Sequence, residues 1–209
     1  MNRDHTTCVV IPMKAPQQAK TRLMPFLHRT QRESLALRLF HNTLEFFRTE
    51  FPQLSLLVVT PSAQIAEHTR RAGYHALLED QQSGLNAALR LATSWSLCKG
   101  FERQLIIPAD IACLNRAEIR QLLDQQAEGP AVTIAPSADG GTNALLCAPP
   151  DAIPFAFGRH SASRHLRAAE NAGLPCQQLT LIQLQQDIDQ PQDLPRALFP
   201  MTAEAAPYV

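Results

Sequence analysis

Three carboxylates stand where metal and phosphate chemistry could be done. Asp110 directly follows the apolar run QLIIPA, while Asp187 and Asp189 lie two residues apart in QQDIDQP, flanking Ile188. In an extended segment alternate side chains share a side, so the latter two carboxylates face one way and Ile188 the other. Magnesium is held by one or two carboxylates together with water and phosphate oxygens, which makes Asp110, Asp187 and Asp189 candidate metal ligands. Each alone has an ordinary structural reading: Asp110 begins a turn, and Asp189 caps a helix after Pro191.

Cations for a polyphosphate come from the loop after the first apolar run. Lys14, Lys20 and Arg22 fall within nine positions with no acidic residue between them. A triphosphate needs such donors, and the arginine fork grips phosphate with two hydrogen bonds; the plain alternative is a solvated basic loop. Neither GxxxxGK[ST] nor GxGxxG occurs, so this is no P-loop and no dinucleotide fingerprint. Further along, Gly140 and Gly141 precede Thr142 and Asn143. Such a pair either lets backbone with free amides approach a ligand or makes a hairpin turn. Gly158 and Ser161 precede a helix, whose N-terminus with a capping serine suits an anion. In SGLNAAL, from Ser83 to Leu89, Asn86 reads a base edge or caps its helix. His160 and His165 have no third and fourth partner at zinc spacing and are not taken as metal ligands. No catalytic triad is evident.

These groups must be carried by a scaffold. CVVIPM, LSLLVVT (54–60), YHALLE (74–79), QLIIP (104–108), AVTIAP, NALLCA and a segment at 178–181 read as strands, being short, apolar and rich in β-branched residues. Thr30 and Glu33 form a capping-box pattern opening a helix to about Thr49. Further helices are expected from Ser62 to near Gly73, Leu85 to Leu97, Asn115 (with Glu118) to about Ala127, Ser161 to Ala172, and briefly after Pro191. Strands alternating with helices give an α/β class: one doubly wound, mostly parallel sheet, Rossmann-like, with an antiparallel pair where AVTIAP and NALLCA are joined by a short link. Ligands in such sheets sit beyond the carboxyl ends of the strands, which points to Lys14, Thr60, Asp110 and Gly140 and the residues after them. A single domain is expected over 1–200, with a flexible tail over 201–209.

Bulk properties narrow the function. The 209 residues, 45% hydrophobic, suit one core, and 19 basic against 19 acidic residues leave no net field toward nucleic acid or anionic membrane. The five cysteines, Cys8, Cys98, Cys113, Cys147 and Cys176, form no CxxC pair and read as reduced thiols. No run suits a signal segment or a membrane span, so a cytoplasmic protein is expected.

Taken in order, VVIPMK with AKTRL, SGLNAAL, LIIPADIACL, GGTNALL, FGRHSASRH and DIDQPQDL resemble the guanylyltransferases of coenzyme F-420 biosynthesis, of the 2-phospho-L-lactate guanylyltransferase type, within the MobA-like nucleotidyltransferases. The resemblance runs from about Val9 to Leu194. It implies transfer of GMP from GTP to a small phosphorylated acid (2-phospholactate, phosphoenolpyruvate or 3-phosphoglycerate), with pyrophosphate released and Mg²⁺ as cofactor. It implies Mg²⁺ on Asp110, Asp187 and Asp189; the triphosphate on Lys20, Arg22 and Lys14; the nucleotide near Ser83, Gly84 and Asn86; and the acceptor on Thr142, Gly158 and Ser161. Asp110, Lys20 and Arg22 would carry the catalysis. Partners would be small molecules alone, with homodimerisation left open. Arg159-His160 after Gly158, and Ala162 where a bulkier aromatic residue is expected, depart from the family pattern beside the acceptor. The rival readings are a MobA-like transferase acting on a phosphosugar or molybdopterin, and a non-catalytic nucleotide-binding domain.

Overall fold

The computed structural model describes residues 3–79, 84–125, 129–189 and 191–195. Seven strands, β1 (Thr7–Pro12), β2 (Ser55–Thr60), β3 (His75–Leu78), β4 (Arg103–Ile106), β5 (Ala131–Pro136), β6 (Thr142–Ala148) and β7 (Cys176–Gln178), form one sheet in the order β3-β2-β1-β4-β6-β5-β7. All neighbours run parallel except β6, which is antiparallel to both β4 and β5. The mostly parallel, doubly wound α/β sheet with its antiparallel insert is therefore as expected.

Among the described residues five α-helices cover the sheet: α1 (Arg29–Glu50), α2 (Ala63–Arg71), α3 (Leu85–Cys98), α4 (Arg116–Leu123) and α5 (Ser161–Asn171). The alternation of β1 decides the layering. Val9 and Ile11 join one buried cluster with α1, α2 and α4 through Phe40, Phe47, Ile65 and Ile119. Cys8 and Val10 join the other with α3 and α5 through Leu89, Ala92 and Ala169. A strand buried on both faces reads as a continuous apolar run, which is why β1, β2 and β4 were visible without any polar alternation. The buried Gln104 of β4 is satisfied by α3, donating to Thr93 Oγ1 and accepting from Ser96 Oγ, both at 2.8 Å.

Several element ends differ from expectation. Helix α1 starts at Arg29, and its cap is His28, whose N–H donates to Gln31 Oε1 at 2.8 Å. Thr30 is already helical, and Glu33 instead pairs with Arg29 one turn away at 2.7 Å. Asn115 does cap α4, accepting from the N–H groups of Ala117 and Glu118, but Glu118 does not reach back to it. Helix α4 ends at Leu123, just after its last buried apolar pair, and 126–128 lie outside the described residues. The strand expected at 178–181 is β7, two residues earlier: after Leu179 bonds to Ile134 at 2.9 Å the chain leaves β5, and Leu179, Leu181 and Leu184 turn into the core. After Pro191 the chain makes a 3-10 turn, Pro191–Asp193, and is helical at 194–195, beyond which the described residues end. The proposed tail, 201–209, lies outside the described residues. No helix among the described residues is long and apolar enough to cross a membrane, and the five cysteines, all among those residues, form no disulfide.

Candidate active site

Sheet order fixes where ligands gather. Strand order reverses between β1, which continues to β2 on one side, and β4, which leads to β6 and β5 on the other; such a switch point opens a crevice at the strands' carboxyl ends. A cleft of about 510 Å³ lies there, within the range of small-molecule sites. Strand β1 ends at Pro12 and delivers Lys14 and the basic loop; β4 leads into Asp110; β6 runs the opposite way, so its first residue, Thr142, lies beside the end of β4. Lys14, Lys20, Arg22, Gly84, Asp110, Thr142, Gly158, Ser161, Asp187 and Asp189 all line this cleft.

The carboxylates meet through backbone pairing that the sequence does not reveal. Ile111 and Asp187 form an isolated antiparallel bridge, with Ile188 N–H donating to Asp110 O and Ala112 N–H to Gln186 O. Ile188 is fully buried against Leu23, Leu35 and Leu39, and the flanking Asp187 and Asp189 face the cleft. The segment that carries them is gripped from behind: the Glu118 carboxylate accepts from the N–H groups of Gln183 and Leu184, both at 2.9 Å, and Asn143 donates to Leu184 O. Glu118, read from sequence with Asn115 as a helix start, is thus a clamp on the aspartate loop.

Lys20 reaches these carboxylates because its backbone is left-handed, at φ 55°, a conformation uncommon for a side chain of this size. Its buried ammonium donates to Asp110 Oδ2 at 2.9 Å and to Ile188 O at 2.6 Å. Arg22 pairs with Asp189, and Lys14 stands exposed at the rim. The loop is anchored to α1 by Arg32, which is buried and donates to Ala19 O at 2.9 Å. Burial, then the charge of Asp110 and, less strongly, that of Asp189, push the Asp187 carboxyl up to about 6. A cation would relieve that crowding. Among the described residues no group of three His, Cys, Asp or Glu side chains could by itself hold a metal ion. Those described residues therefore form no all-protein cage.

On the acceptor side the glycine pair takes its turn reading, whereas Ser161 and Asn86 do not act as caps. Gly140 and Gly141 make a hairpin turn whose amides are not free: Gly140 N–H donates to Ser137 O, and Gly141 N–H to Asp139 Oδ1, both at 3.1 Å. A Cβ on Gly141 would stand 2.6 Å from Ser137 Oγ and 3.2 Å from Asp139 Oδ1, so a side chain there would displace that hydrogen-bonded pair. Ser161 is not a cap; His160, left-handed at φ 52°, precedes α5, and Ser161 is its first helical residue. Its N–H goes to Gly158 O and that of Ala162 to Gly140 O, while its hydroxyl donates to Thr142 Oγ1 at 2.9 Å. Asn86 does not cap α3 and is not among the residues lining the cleft: Phe157 N–H donates to its Oδ1 at 2.8 Å, and its Nδ2 donates to Phe157 O at 3.3 Å. It is a strut that holds the segment before Gly158. Ser83 lies outside the described residues.

Three cleft residues had no sequence signal strong enough to single them out. Ser137 and Asp139 line it beside Arg22, with Asp139 held below the usual carboxylate range chiefly by the Ser137 hydroxyl. Glu79, just past β3, also lines it and is raised by burial.

Comparison with known proteins gives the family. The family described as guanylyl transferase CofC like matches residues 7–202. The chain belongs to this guanylyltransferase family. It is 47% identical over 188 residues to a 3-phospho-D-glycerate guanylyltransferase of Colwellia psychrerythraea, covering 90% of this chain and 89% of that one. It is 36% identical over 190 residues to a phosphoenolpyruvate guanylyltransferase of Sphaerobacter thermophilus, covering 90% and 91%. A solved nucleotidyl transferase of Methanothermobacter superposes with a TM-score of 0.66 at 16% identity, over 91% of this chain and 94% of that one, which shows a shared fold alone.

Proposed function

We propose that this guanylyltransferase transfers GMP from GTP to a phosphorylated three-carbon acid, with 3-phospho-D-glycerate as its acceptor, in coenzyme F-420 biosynthesis. One observation carries the reaction type: cations from the end of β1, carboxylates beside the end of β4 and hydroxyls at the start of β6 line one cleft. Choice of acceptor rests on the relative that is 47% identical.

In the reaction so read, an oxygen of the acceptor's phosphate forms a bond to the α-phosphorus of GTP. The bond from that phosphorus to the β-phosphate's bridging oxygen breaks, and pyrophosphate leaves with the electron pair. A phosphate monoester has its second pKa near 6, so the nucleophile is anionic at neutral pH and no catalytic base is required. The demand is electrostatic, since two anions must approach. Lys14, Lys20 and Arg22 answer it by holding triphosphate oxygens. Thr142, Ser161 and the backbone at Gly158 hold the acceptor; Gly158, at φ 123°, brings the chain past in a conformation that side chains rarely adopt. Asp110, Asp187 and Asp189 would hold Mg²⁺, which when bound neutralises phosphate charge and stabilises the leaving pyrophosphate. Lys20 and Arg22, already paired with Asp110 and Asp189, keep these carboxylates oriented.

Pyrophosphate release with GTP and Mg²⁺, run separately with 3-phospho-D-glycerate, phosphoenolpyruvate and 2-phospho-L-lactate and checked by product mass, tests this. Release with 3-phospho-D-glycerate foremost is the expected result; release with another acid alone overturns the acceptor, and none with any acid in a folded, GTP-binding protein overturns the reaction.

A further inference from the structure

His165 lies directly behind the acceptor-side hydroxyls and takes no part in the chemistry above. It is completely buried and sits one helical turn after Ser161, so both project from the same face of α5. Its two ring nitrogens have distinct partners. The backbone N–H of Ala156, which can only donate, points at Nε2 at 3.0 Å. Nδ1 lies 3.1 Å from Thr142 Oγ1.

These contacts determine the tautomer. Nε2 must offer its lone pair to Ala156, so the proton of the neutral ring is on Nδ1 and is donated to Thr142. Burial, with the nearby Arg164 charge second, lowers the ring's pKa to about 4 and keeps it neutral at physiological pH. Thr142 Oγ1 then accepts from His165 and shares one hydroxyl proton with Ser161 across 2.9 Å. A hydroxyl oxygen has two acceptor positions and one proton. One of the pair's two hydroxyl protons is thus held between Thr142 and Ser161, and the other is left for the cleft that both residues line.

We infer that His165 is a positioning residue for acceptor binding, its Nδ1–H locking the Thr142–Ser161 pair so that one hydroxyl donor always faces the acceptor's anionic group. The inference rests on the reading of Thr142 and Ser161 as the acceptor subsite. A carboxylate or phosphate oxygen can only accept, so a donor locked toward it is matched, whereas a hydroxyl free to turn inward loses part of its binding. Ala156 couples the same ring to the segment before Gly158, which Asn86 braces from the other side through Phe157. The imidazole thus sets the hydroxyls and the Gly158 backbone together.

The test is a steady-state comparison of His165→Asn, His165→Gln and Thr142→Val, with fold checked by circular dichroism. KM is measured for GTP and for 3-phospho-D-glycerate, or for the acid turned over in its place. An asparagine amide nitrogen occupies the place of Nδ1 and retains the donation to Thr142; a glutamine oxygen occupies that of Nε2 and retains only the bond from Ala156. The expected result is an acceptor KM near wild type for His165→Asn and raised about tenfold for His165→Gln, the loss of one hydrogen bond to a charged group, with the KM for GTP unmoved in both. Equal acceptor KM in the two variants, or acceptor and GTP KM rising together, assigns His165 to packing alone and overturns the inference. An unchanged acceptor KM in Thr142→Val overturns the acceptor subsite and the inference with it. A raised value there, with His165→Gln at wild type, overturns only the role of His165.

Discussion

The same buried imidazole makes stability depend on pH in a calculable way. His165 has an ordinary pKa of 6.5 when unfolded and about 4 when folded, through burial first and the Arg164 charge second. Above pH 6.5 the ring is neutral in both states and its contribution does not vary. Between pH 6.5 and 4 the unfolded chain binds a proton that the folded chain refuses, so stability falls as the pH falls, by about 1.4 kcal/mol for each pH step of one. Over that whole window the loss amounts to about 3 kcal/mol, or a Tm lowered by roughly 10 °C for a domain of this size. Below pH 4 the folded ring would protonate too and the dependence would flatten. Asp187, pushed up to about 6, acts with the opposite sign, so the wild-type curve alone mixes the two. The clean assay is the difference between wild type and His165→Asn in urea unfolding from pH 7.5 to 4. The variant lacks the titrating ring and keeps Asp187, so its stability deficit relative to wild type should shrink by about 3 kcal/mol across the window. Two curves that remain parallel would show that His165 is not held neutral by burial, and the tautomer argument would fall with it.

Three other outcomes are expected. Asp110→Ala and Asp189→Ala each abolish pyrophosphate release with the fold retained by circular dichroism; wild-type activity with Mg²⁺ in either removes the carboxylates from metal binding. Lys20→Ala raises the KM for GTP, roughly tenfold for one lost charge-assisted contact, and leaves Asp110 without its 2.9 Å partner; unchanged KM and kcat would take Lys20 out of the triphosphate site. Gly141→Ala places a Cβ 2.6 Å from Ser137 Oγ and should destabilise the protein by about 1–3 kcal/mol in thermal unfolding. An unaltered Tm would mean that the turn yields without cost.

The chain determined its class and most of its site by residue type and order. Strands buried on both faces announce themselves as apolar runs, and the alternation of Asp187, Ile188 and Asp189 was readable because a period of two holds in any extended segment. The link of Asp110 to Asp187 was not readable. It depends on a one-residue bridge between segments more than seventy positions apart, and no local pattern encodes such pairing. The same limit hid the clamp of Glu118 on Gln183 and Leu184 and the strut of Asn86 on Phe157. In each case a side chain that fits a local cap found backbone donors brought to it by the fold. Ser161 and His165 lay at a helical spacing that sequence could see. That the imidazole meets Thr142 from β6, and which nitrogen carries its proton, was decided only where tertiary packing set the Ala156 N–H against Nε2, because a tautomer is chosen by the partners that a ring is buried among.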